Sequence, residues 1–577
     1  MDVLFFNPPR SRQQHDHVLN TTLLWLASSL RADGLAASIR APSGMRLEEE
    51  VVGTIEVEQP RFAAIACKWW NTLYGALRVA SVIRRHFPHL PIVVGGHTAS
   101  TFPAELIATG LIDIVLLGDV DHSLTHLAVH GEVSHGVTSC GYHPPVTNGT
   151  RASLLDDIEL EPIHRLIDQP DIVPGYVWLG RGCCHPCFYC LESRDSGMRI
   201  MGRGAPRMRQ VAAVARDAAA LAGRSQLIFD YEHPSTARTE RFLSDLGAAL
   251  PQSFRSCYYF HWGLPTPAII DALSERFDQV GICLDIQVFA AAHRHDLSCR
   301  KLIKPYVSDE AIRGLLQYVE RKSNVHVDAT GIVGMPLETT QHREQGLAFI
   351  ESLSRDFACV RDWRFSPLHV IPGTPLAGDA HFLDLDVLRR SFQDFYEFTK
   401  ESYESEVGYY STERALHPYG VHPAGQKWAI VDFMKDASAR LDESRSGKRS
   451  VVIKRTGASA AVDLTDPFTP LPTLFAALAD RTLRDFGAER LTISLGPRTW
   501  FHHSWMDYSS ESGENSATKC GLARDAAVLE AQFRARLAPY KKITLAAAPR
   551  RWGVIADVVA SLTRHDRQSA IEMGSTP

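Results

Sequence analysis

The chain has 577 residues, which is too long for one ordinary domain and sufficient for about three. Hydrophobic residues make up 45% of it and charged residues 22%, so large cores can be built. The formal net charge of −5 gives no overall attraction to nucleic acid or to anionic lipid, and we expect neither as a partner. No apolar run of about 18 residues occurs, which predicts that the chain does not span a membrane.

The first residues and the cysteines indicate a compartment. Residues 1–6 have no basic leader and are mostly apolar, which predicts a buried strand rather than a secretion signal. The cysteines number eleven, and four of them fall within residues 183–190. This clustering favours a metal site in a reducing compartment over a disulfide framework, so we expect a cytoplasmic protein.

Residues 1–130 alternate between short apolar strands and amphipathic helices. Strands are predicted at residues 2–6, 37–39, 62–66, 92–96 and 114–117, and helices at 19–31 and 74–86. This order predicts a doubly wound, Rossmann-like parallel sheet covered on both faces. Ligands of such sheets bind beyond the carboxyl ends of the strands, where a glycine pair at 95–96 lies. Residues 131–172 have little periodic signal and are interpreted as a linker.

Strand and helix alternate again over residues 173–380. Strands are predicted at 176–179, 227–229, 257–260, 281–286, 325–333 and 363–370, and helices at 208–222, 239–250, 267–276, 308–322 and 340–354. Six repeats predict a partial (β/α)6 barrel.

The rhythm breaks in residues 381–577, which we interpret as a C-terminal helical and small α/β domain that caps the barrel. Residues 385–403 form one long amphipathic stretch. Strand candidates follow at 450–453, 491–495 and 543–547, and the last ten residues are expected to be disordered.

The cysteine cluster allows two interpretations. Cys183, Cys187 and Cys190 form a C-x3-C-x2-C pattern, whose three thiolates can hold three irons of a [4Fe–4S] cluster and leave the fourth open. Alternatively, Cys184, Cys187 and Cys190 with His185 would form a zinc site. Structural zinc usually takes ligand pairs from separate segments, whereas these four would crowd into seven residues. The spacing therefore favours the iron–sulfur cluster.

Residues 181–190 read Arg-Gly-Cys-Cys-His-Pro-Cys-Phe-Tyr-Cys after a predicted strand. This segment resembles the signature of the radical S-adenosylmethionine (SAM) superfamily. The resemblance implies that the open iron binds the amino and carboxylate groups of SAM, and that Tyr189 lies beside its adenine. Cys184 is expected to be a small buried hydrophobic residue without a ligand role.

Later segments resemble the same superfamily in order and spacing. Residues 331–339 resemble its "GLPGET" segment and residues 371–376 its "PGT" turn. Asp230 and Glu232 end the second barrel strand and resemble an acidic turn of relatives that carry cobalamin domains, which implies a cofactor contact. The fourth strand departs from the usual "E/Q-S-G", so Gln287 is a predicted SAM contact on weaker grounds.

The N-terminal domain resembles the cobalamin-binding domains that precede radical SAM barrels. Residues 93–100 resemble their "GGxHAS" turn, and residues 118–121 stand where those relatives often have "GEGE". A doubly wound domain that binds a nucleotide, or nothing, is the alternative. The cobalamin contacts that the resemblance implies are Gly95, Gly96, His97, Thr98, Ser100 and Gly118.

No D-x-H-x-x-G motif occurs, so the histidine that coordinates cobalt from below in many cobalamin proteins is expected to be missing. The resemblance places the residues after the strand at 62–66 under the corrin. We therefore predict that Lys68 or Trp69 faces cobalt. The alternative is that Trp69 and Trp70 pack between domains.

Together these resemblances imply a methyltransferase that moves a methyl group from SAM through methylcobalamin to a carbon of a small-molecule or peptide substrate in specialised biosynthesis. One branch of the family methylates tryptophan without forming a radical; if a radical is formed, an electron donor such as flavodoxin or ferredoxin is expected. A cobalamin-binding radical SAM cyclase or isomerase, and a non-catalytic metal-stabilised binding protein, are the alternatives.

Overall fold

The computed structural model describes residues 1–10, 19–68, 70–130, 136–137, 156, 158–168, 175–203, 206–221, 226–231, 235–378 and 383–404, and strand segments between 421 and 573. The chain divides into two compact units, Met1–Tyr409 with Glu413–Phe433, and Tyr410–Thr412 with Met434–Pro577. Among the helices of these described ranges, none has the length and apolar character that crossing a bilayer requires.

The N-terminal domain is built on a parallel sheet of six strands. In spatial order the strands are Ala37–Arg40, Val3–Phe6, Phe62–Ala66, Ile92–Gly95, Ile114–Leu116 and Gly136–Val137. Its helices are Thr22–Ala32, Leu47–Glu58, Leu73–His86, His97–Thr101, Pro103–Ala108 and Asp121–His130, with a 3-10 turn at Trp70–Thr72. The doubly wound sheet is confirmed. Its strand order reverses between Val3–Phe6 and Phe62–Ala66, which opens a crevice at their carboxyl ends.

The helix Leu47–Glu58 was not predicted from the sequence. Its buried side chains are only Leu47, Val51 and Ile55, one per turn, so its apolar stripe is narrow. Short helices at Ile163–Leu166 and Pro375–Gly378 were likewise not predicted.

A second parallel sheet of six strands forms the partial barrel, as predicted. Its strands, called the first to sixth barrel strands, are Tyr176–Trp178, Gln226–Asp230, Ser256–His261, Gln279–Gln287, Val325–Val333 and Val360–Pro367. Its helices are Arg194–Met201, Val211–Ala220, Thr236–Ala249, Pro267–Arg276, Ala291–Cys299, Asp309–Val319 and Thr340–Asp356.

Several details of the barrel differ from the sequence prediction, and one is the helix Arg194–Met201, which was not predicted. The sixth strand ends at Pro367 instead of residue 370. The prediction extended too far because Leu368 and Val370, in the loop after the strand, are apolar and buried like strand residues. The helix Ala291–Cys299 was not expected. Two of its buried residues, His293 and Arg294, are polar, so its buried face gives no apolar pattern.

The prediction of one amphipathic stretch over residues 385–403 was wrong. Leu385–Val387 is a strand that pairs antiparallel with Val421–Pro423, and a separate helix spans Phe392–Glu404. The break occurs because Asp394 accepts hydrogen bonds from the backbone N–H groups of Arg390 and Ser391, which starts a new helix.

The C-terminal unit contains a sheet of five strands. They are Val451–Thr456, Ser459–Leu464, Arg490–Ser494, Lys542–Leu545 and Ala570–Met573. The first two strands pair antiparallel, and the others are parallel. The expected disorder of the last ten residues was wrong at Ala570–Met573, which forms a strand that pairs with Lys542–Leu545.

Candidate functional site

The cysteine loop, residues 183–190, follows the first barrel strand at its carboxyl end, where a (β/α) barrel places its chemistry. Gly180 starts this turn, and a Cβ there would lie 2.5 Å from the carbonyl oxygen of Arg207 and 2.6 Å from the ring of Tyr231. The loop is fixed by backbone hydrogen bonds. The Phe188 N–H donates to the Leu302 carbonyl at 3.1 Å, and the Phe188 carbonyl accepts from the N–H of Leu376 at 3.2 Å.

The thiols of Cys183, Cys187 and Cys190 affect one another's pKa values. Burial raises the pKa of Cys183 to about 11, and the charge of Cys187 adds to this rise. Burial also raises the pKa of Cys190, with further contributions from Cys187 and Cys183. Cys184, which was expected to be buried, is only half-buried, and its charge contributes to the raised pKa of Cys183 and, after burial, to the raised pKa of the Tyr231 hydroxyl. The three cysteines of the C-x3-C-x2-C pattern therefore lie close enough for their charges to interact, and Cys184 lies near Cys183 and Tyr231.

The same loop does not present a ready zinc site. Within the described part of the chain, no three Cys, His, Asp or Glu side chains stand close enough to hold one metal ion. Zinc at about 2.3 Å from each sulfur would require sulfurs roughly 4 Å apart. A four-iron cluster distributes its thiolate ligands over separate irons, and the assignment of the three thiols to such a cluster stays a prediction.

Gln287 ties the fourth barrel strand to the cysteine loop. Gln287 is buried, and its backbone adopts the left-handed conformation with φ of 61°. It lies where the register between the fourth and fifth barrel strands shifts. Its Nε2 lies 3.7 Å from the Sγ of Cys187 and 2.5 Å from the hydroxyl of Tyr189, and its Oε1 accepts from the backbone N–H of Lys304 at 3.1 Å. A non-glycine residue held at positive φ is frequently part of a site. The predicted SAM contacts Gln287 and Tyr189 thus touch each other.

Polar side chains line the mouth of the barrel beside this loop. Asp230 accepts hydrogen bonds from the hydroxyl of Tyr176 at 2.5 Å and from the indole N–H of Trp262 at 2.6 Å. Lys304 pairs with Asp285 at 2.7 Å, and its Nζ lies 5.3 Å from the ring centroid of Trp262. Glu232, predicted beside Asp230, lies outside the described residues.

Sequence reasoning missed Trp262, Lys304 and Asp285 as members of this site. Trp262 follows the third barrel strand, Asp285 lies within the fourth, and Lys304 follows the helix Ala291–Cys299. No motif marks any of them. Their only common signal is their position near the carboxyl ends of barrel strands. Tyr306, two residues beyond Lys304, has its side chain 39% exposed.

The predicted cobalamin loops are joined by their own polar groups. The hydroxyl of Thr98 donates to the Lys68 carbonyl at 3.3 Å, and the hydroxyl of Ser100 accepts from the backbone N–H of Gly118 at 3.0 Å. Gly96 has φ of 119° and lies against the backbone of Lys68. These residues come together at the carboxyl edge of the N-terminal sheet. Their contact with a corrin stays a prediction.

Of the two tryptophans after Lys68, the structure describes only Trp70. Trp69 lies outside the described residues. Trp70 is buried, and its ring centroid lies 5.4 Å from that of Phe398 and 6.1 Å from that of Phe395. Trp70 is therefore a packing residue, as the alternative interpretation held for it.

A chain of charged groups connects the N-terminal sheet to the cysteine loop. Glu192, two residues after Cys190, lies with one carboxylate oxygen 2.8 Å from the Nε2 of His97. Its other oxygen accepts from Arg203, which also binds Asp119 at 2.9 Å. Although burial opposes it, the charges of Arg203 and His97 hold the pKa of Glu192 well below its usual range. The glycine–histidine turn and the cysteine loop thus belong to one connected site.

The sequence matches no protein-family model and no curated protein. Among solved structures, the chain is similar to the radical SAM methyltransferase TsrM from Kitasatospora setae with cobalamin and a [4Fe–4S] cluster bound. The TM-score is 0.55 at 16% identity, over 77% of this chain and 90% of that one. TsrM with tryptophan substrate and the SAM analogue aza-SAM bound gives a TM-score of 0.56 at 16% identity, over 79% and 91%. The chain shares the fold of TsrM.

In this TsrM-like fold, the loop after the fifth barrel strand contains a carboxyl with an altered pKa. Burial raises the pKa of Glu338 to about 7, against opposing contributions from the charge of Arg343 and the backbone of Gly334. The folded chain therefore keeps this proton up to about pH 7, whereas the unfolded chain releases it near 4.5. Because the folded state binds more protons over that interval, its stability falls as pH rises.

Glu338 alone is expected to lower the free energy of unfolding by roughly 2 kcal/mol between about pH 5 and pH 8, measured by chemical denaturation as the difference in slope between the unmodified chain and Glu338→Gln, whose amide does not titrate. The buried His261 and His293, whose pKa values burial lowers to about 3 and about 4, add a slope of the opposite sign to both proteins, so only the difference reports on Glu338. The exposed Glu49, which pairs with Arg46, gives a control, since Glu49→Gln should leave the slope in place. An unchanged slope in Glu338→Gln would contradict the assignment.

Proposed function

We propose that the chain is a cobalamin-binding radical SAM methyltransferase that moves a methyl group from SAM to a carbon of a small-molecule or peptide substrate. The observation that carries the proposal is the direct contact of two motifs. His97 of the glycine–histidine turn meets Glu192, which follows the cysteine loop, within one compact unit. The TsrM-like fold supports the same conclusion.

The residues around the cysteine loop fit an iron–sulfur cluster and SAM. Cys183, Cys187 and Cys190 offer three soft thiols from one loop, which is the ligand set of a [4Fe–4S] cluster with one open iron. Thiols whose pKa values are raised in this way keep their protons until a metal binds the sulfur, so loading would release protons. Gln287 contacts both Cys187 and Tyr189 in this loop, and Gln287 and Tyr189 would position SAM.

The crevice of the N-terminal sheet fits a large planar ligand. It lies at the reversal of strand order, where doubly wound sheets bind their ligands. Gly95 and Gly96 bring backbone without side chains to the carboxyl edge of the sheet, and Lys68 follows the neighbouring strand Phe62–Ala66, which borders the reversal. We assign residues 1–130 to cobalamin, and residues 173–380 to the cluster and SAM.

When bound, SAM would supply the methyl group, cobalamin would carry it, and the cluster would bind SAM and supply an electron where a radical is needed. The chain's own residues hold the reacting groups in place. Gln287 holds the cysteine loop through its contact with the Sγ of Cys187. At the mouth of the barrel, Asp285 balances the charge of Lys304. Trp262 and Tyr176 keep Asp230 hydrogen-bonded there and reduce its access to water.

The substrate class to test first is an aromatic amino acid or an aromatic side chain of a peptide, because one solved structure with this fold contains tryptophan. The barrel mouth contributes both charges, from Asp230 and Lys304, and an indole surface from Trp262. If the reaction proceeds by hydrogen abstraction, a flavodoxin or ferredoxin would be its electron donor.

The decisive experiment is metal analysis of protein purified without oxygen from cells supplied with cobalamin. We expect about four irons and one cobalt per chain, and then methyl transfer from labelled SAM to a candidate substrate. Iron without cobalt would remove cobalamin from the proposal. Deoxyadenosine without methyl transfer would favour a cyclase or isomerase, and zinc with neither metal would contradict the cluster assignment.

A further inference from the structure

We infer that Glu192 is a positioning residue that couples the two cofactor sites, so that loading the cluster strengthens cobalamin binding and cobalamin stabilises the cluster loop in return. The inference rests on the proposed function, because it concerns the same two sites. It extends that function by naming the side chain that connects them.

The position of Glu192 is the first argument. The backbone N–H of Ser193 donates to the carbonyl of Cys190, so the segment that carries Glu192 turns directly off the cysteine loop. One carboxylate oxygen meets His97, whose side chain is 2% exposed. The contact joins the Nε2 of His97 to this oxygen over 2.8 Å. A shift of the cysteine loop would therefore change the contact between Glu192 and His97 of the glycine–histidine turn.

A second connection runs parallel to the first. The other oxygen of Glu192 accepts from Arg203, whose guanidinium also binds Asp119 through two nitrogens. Asp119 in turn lies 3.6 Å from Arg181, the residue at the start of the cysteine segment. Two carboxylates thus meet two guanidiniums. A network in which each charge is paired is rigid, because breaking one contact leaves a partly buried charge without its partner.

Packing reinforces this network at the helix Arg194–Met201. Gly118 has φ of 72°, and a Cβ there would lie 3.1 Å from the carbonyl oxygen of Met201. At the barrel side, a Cβ on Gly373 would lie 2.4 Å from Ile200 and 3.0 Å from the hydroxyl of Thr101. The helix Arg194–Met201 therefore packs against Gly118 of the N-terminal domain on one side and against Gly373, after the sixth barrel strand, on the other. We expect a movement of the cysteine loop, which precedes this helix, to displace both neighbours.

Coupling of two ligands through one rigid element is reciprocal and measurable. The affinity of cobalamin for cluster-loaded and cluster-free protein gives the coupling factor directly. In the unmodified chain we expect the loaded protein to bind hydroxocobalamin about fivefold more tightly or better. In Glu192→Gln, the ratio should fall to about one, because the neutral amide loses the charge that holds Arg203 and His97 together.

The measurement is a titration with hydroxocobalamin, followed by its visible absorbance, on full-length protein prepared without oxygen. Iron content is measured on each sample, so that loss of the cluster is not mistaken for loss of coupling. Glu192→Asp keeps the charge and is expected to retain part of the ratio, and it serves as the second variant if the glutamine variant fails to fold. Asp217→Asn is the control for general destabilisation, since Asp217 is a buried carboxyl bound to Arg209 and Trp25.

The outcomes separate the inference from the function on which it rests. A preserved ratio in both Glu192 variants would overturn the inference, and so would a ratio of about one in the unmodified chain. Absence of cobalamin binding in every sample would defeat the cobalamin part of the proposed function as well. A ratio that collapses equally in Asp217→Asn would assign the effect to stability and overturn the positioning role.

Discussion

Single replacement of Cys183, Cys187 or Cys190 by alanine is expected to remove the iron–sulfur cluster altogether. Each of the three thiols would hold one iron, and the C-x3-C-x2-C pattern offers no fourth protein ligand. Two remaining thiols leave two irons without a protein ligand. Iron should fall from about four per chain to near zero in anaerobically reconstituted protein, with loss of the visible absorbance and of methyl transfer.

Cys184→Ala is the matched control within the same loop. Cys184 lies outside the C-x3-C-x2-C pattern, so its removal should leave iron content unchanged. The unfolding transition of each variant, measured on cluster-free protein, shows whether the chain still folds. A series in which Cys184 is essential and Cys183 is dispensable would reverse the ligand assignment.

The sequence was sufficient to predict both sheets because their strands are apolar, short and regularly spaced. The fifth barrel strand, Val325–Val333, has the predicted bounds, since its burial is nearly continuous. Predictions failed where polarity hid the pattern. The helix Ala291–Cys299 buries His293 and Arg294, and the strand Leu385–Val387 was merged with the helix that follows it.

The candidate site was predictable only where local motifs mark it. The cysteines are close in sequence, so their spacing alone suggests a common ligand. Glu192 and Asp119 are 73 residues apart in the chain (192 − 119), yet both bind Arg203. No local sequence pattern predicts that both carboxylates contact Arg203, because this depends on how the N-terminal sheet packs against the barrel. Long-range charge pairs of this kind had to come from the structure.

Gly96→Ala is expected to disrupt the glycine–histidine turn and lower the free energy of unfolding by about 3 kcal/mol. The new Cβ would lie 2.6 Å from the Cα of Lys68 and 2.7 Å from the carbonyl of Cys67. Both neighbours are backbone atoms, so no rotamer change relieves the contact. The φ of 119° adds strain for any residue with a side chain. Chemical denaturation of cluster-free protein measures the loss.

The adjacent glycine separates this steric argument from a general effect of altering the turn. A Cβ on Gly95 would meet its nearest neighbour at 3.8 Å, an ordinary contact, so Gly95→Ala should cost less than about 1 kcal/mol. Cobalamin affinity should then fall strongly in the Gly96 variant, because Lys68 and His97 lose their relative placement, and much less in the Gly95 variant. Equal losses in both variants would mean that the corrin itself requires a bare backbone at Gly95. A stable Gly96→Ala protein with unchanged affinity would contradict the close approach of this turn to Lys68.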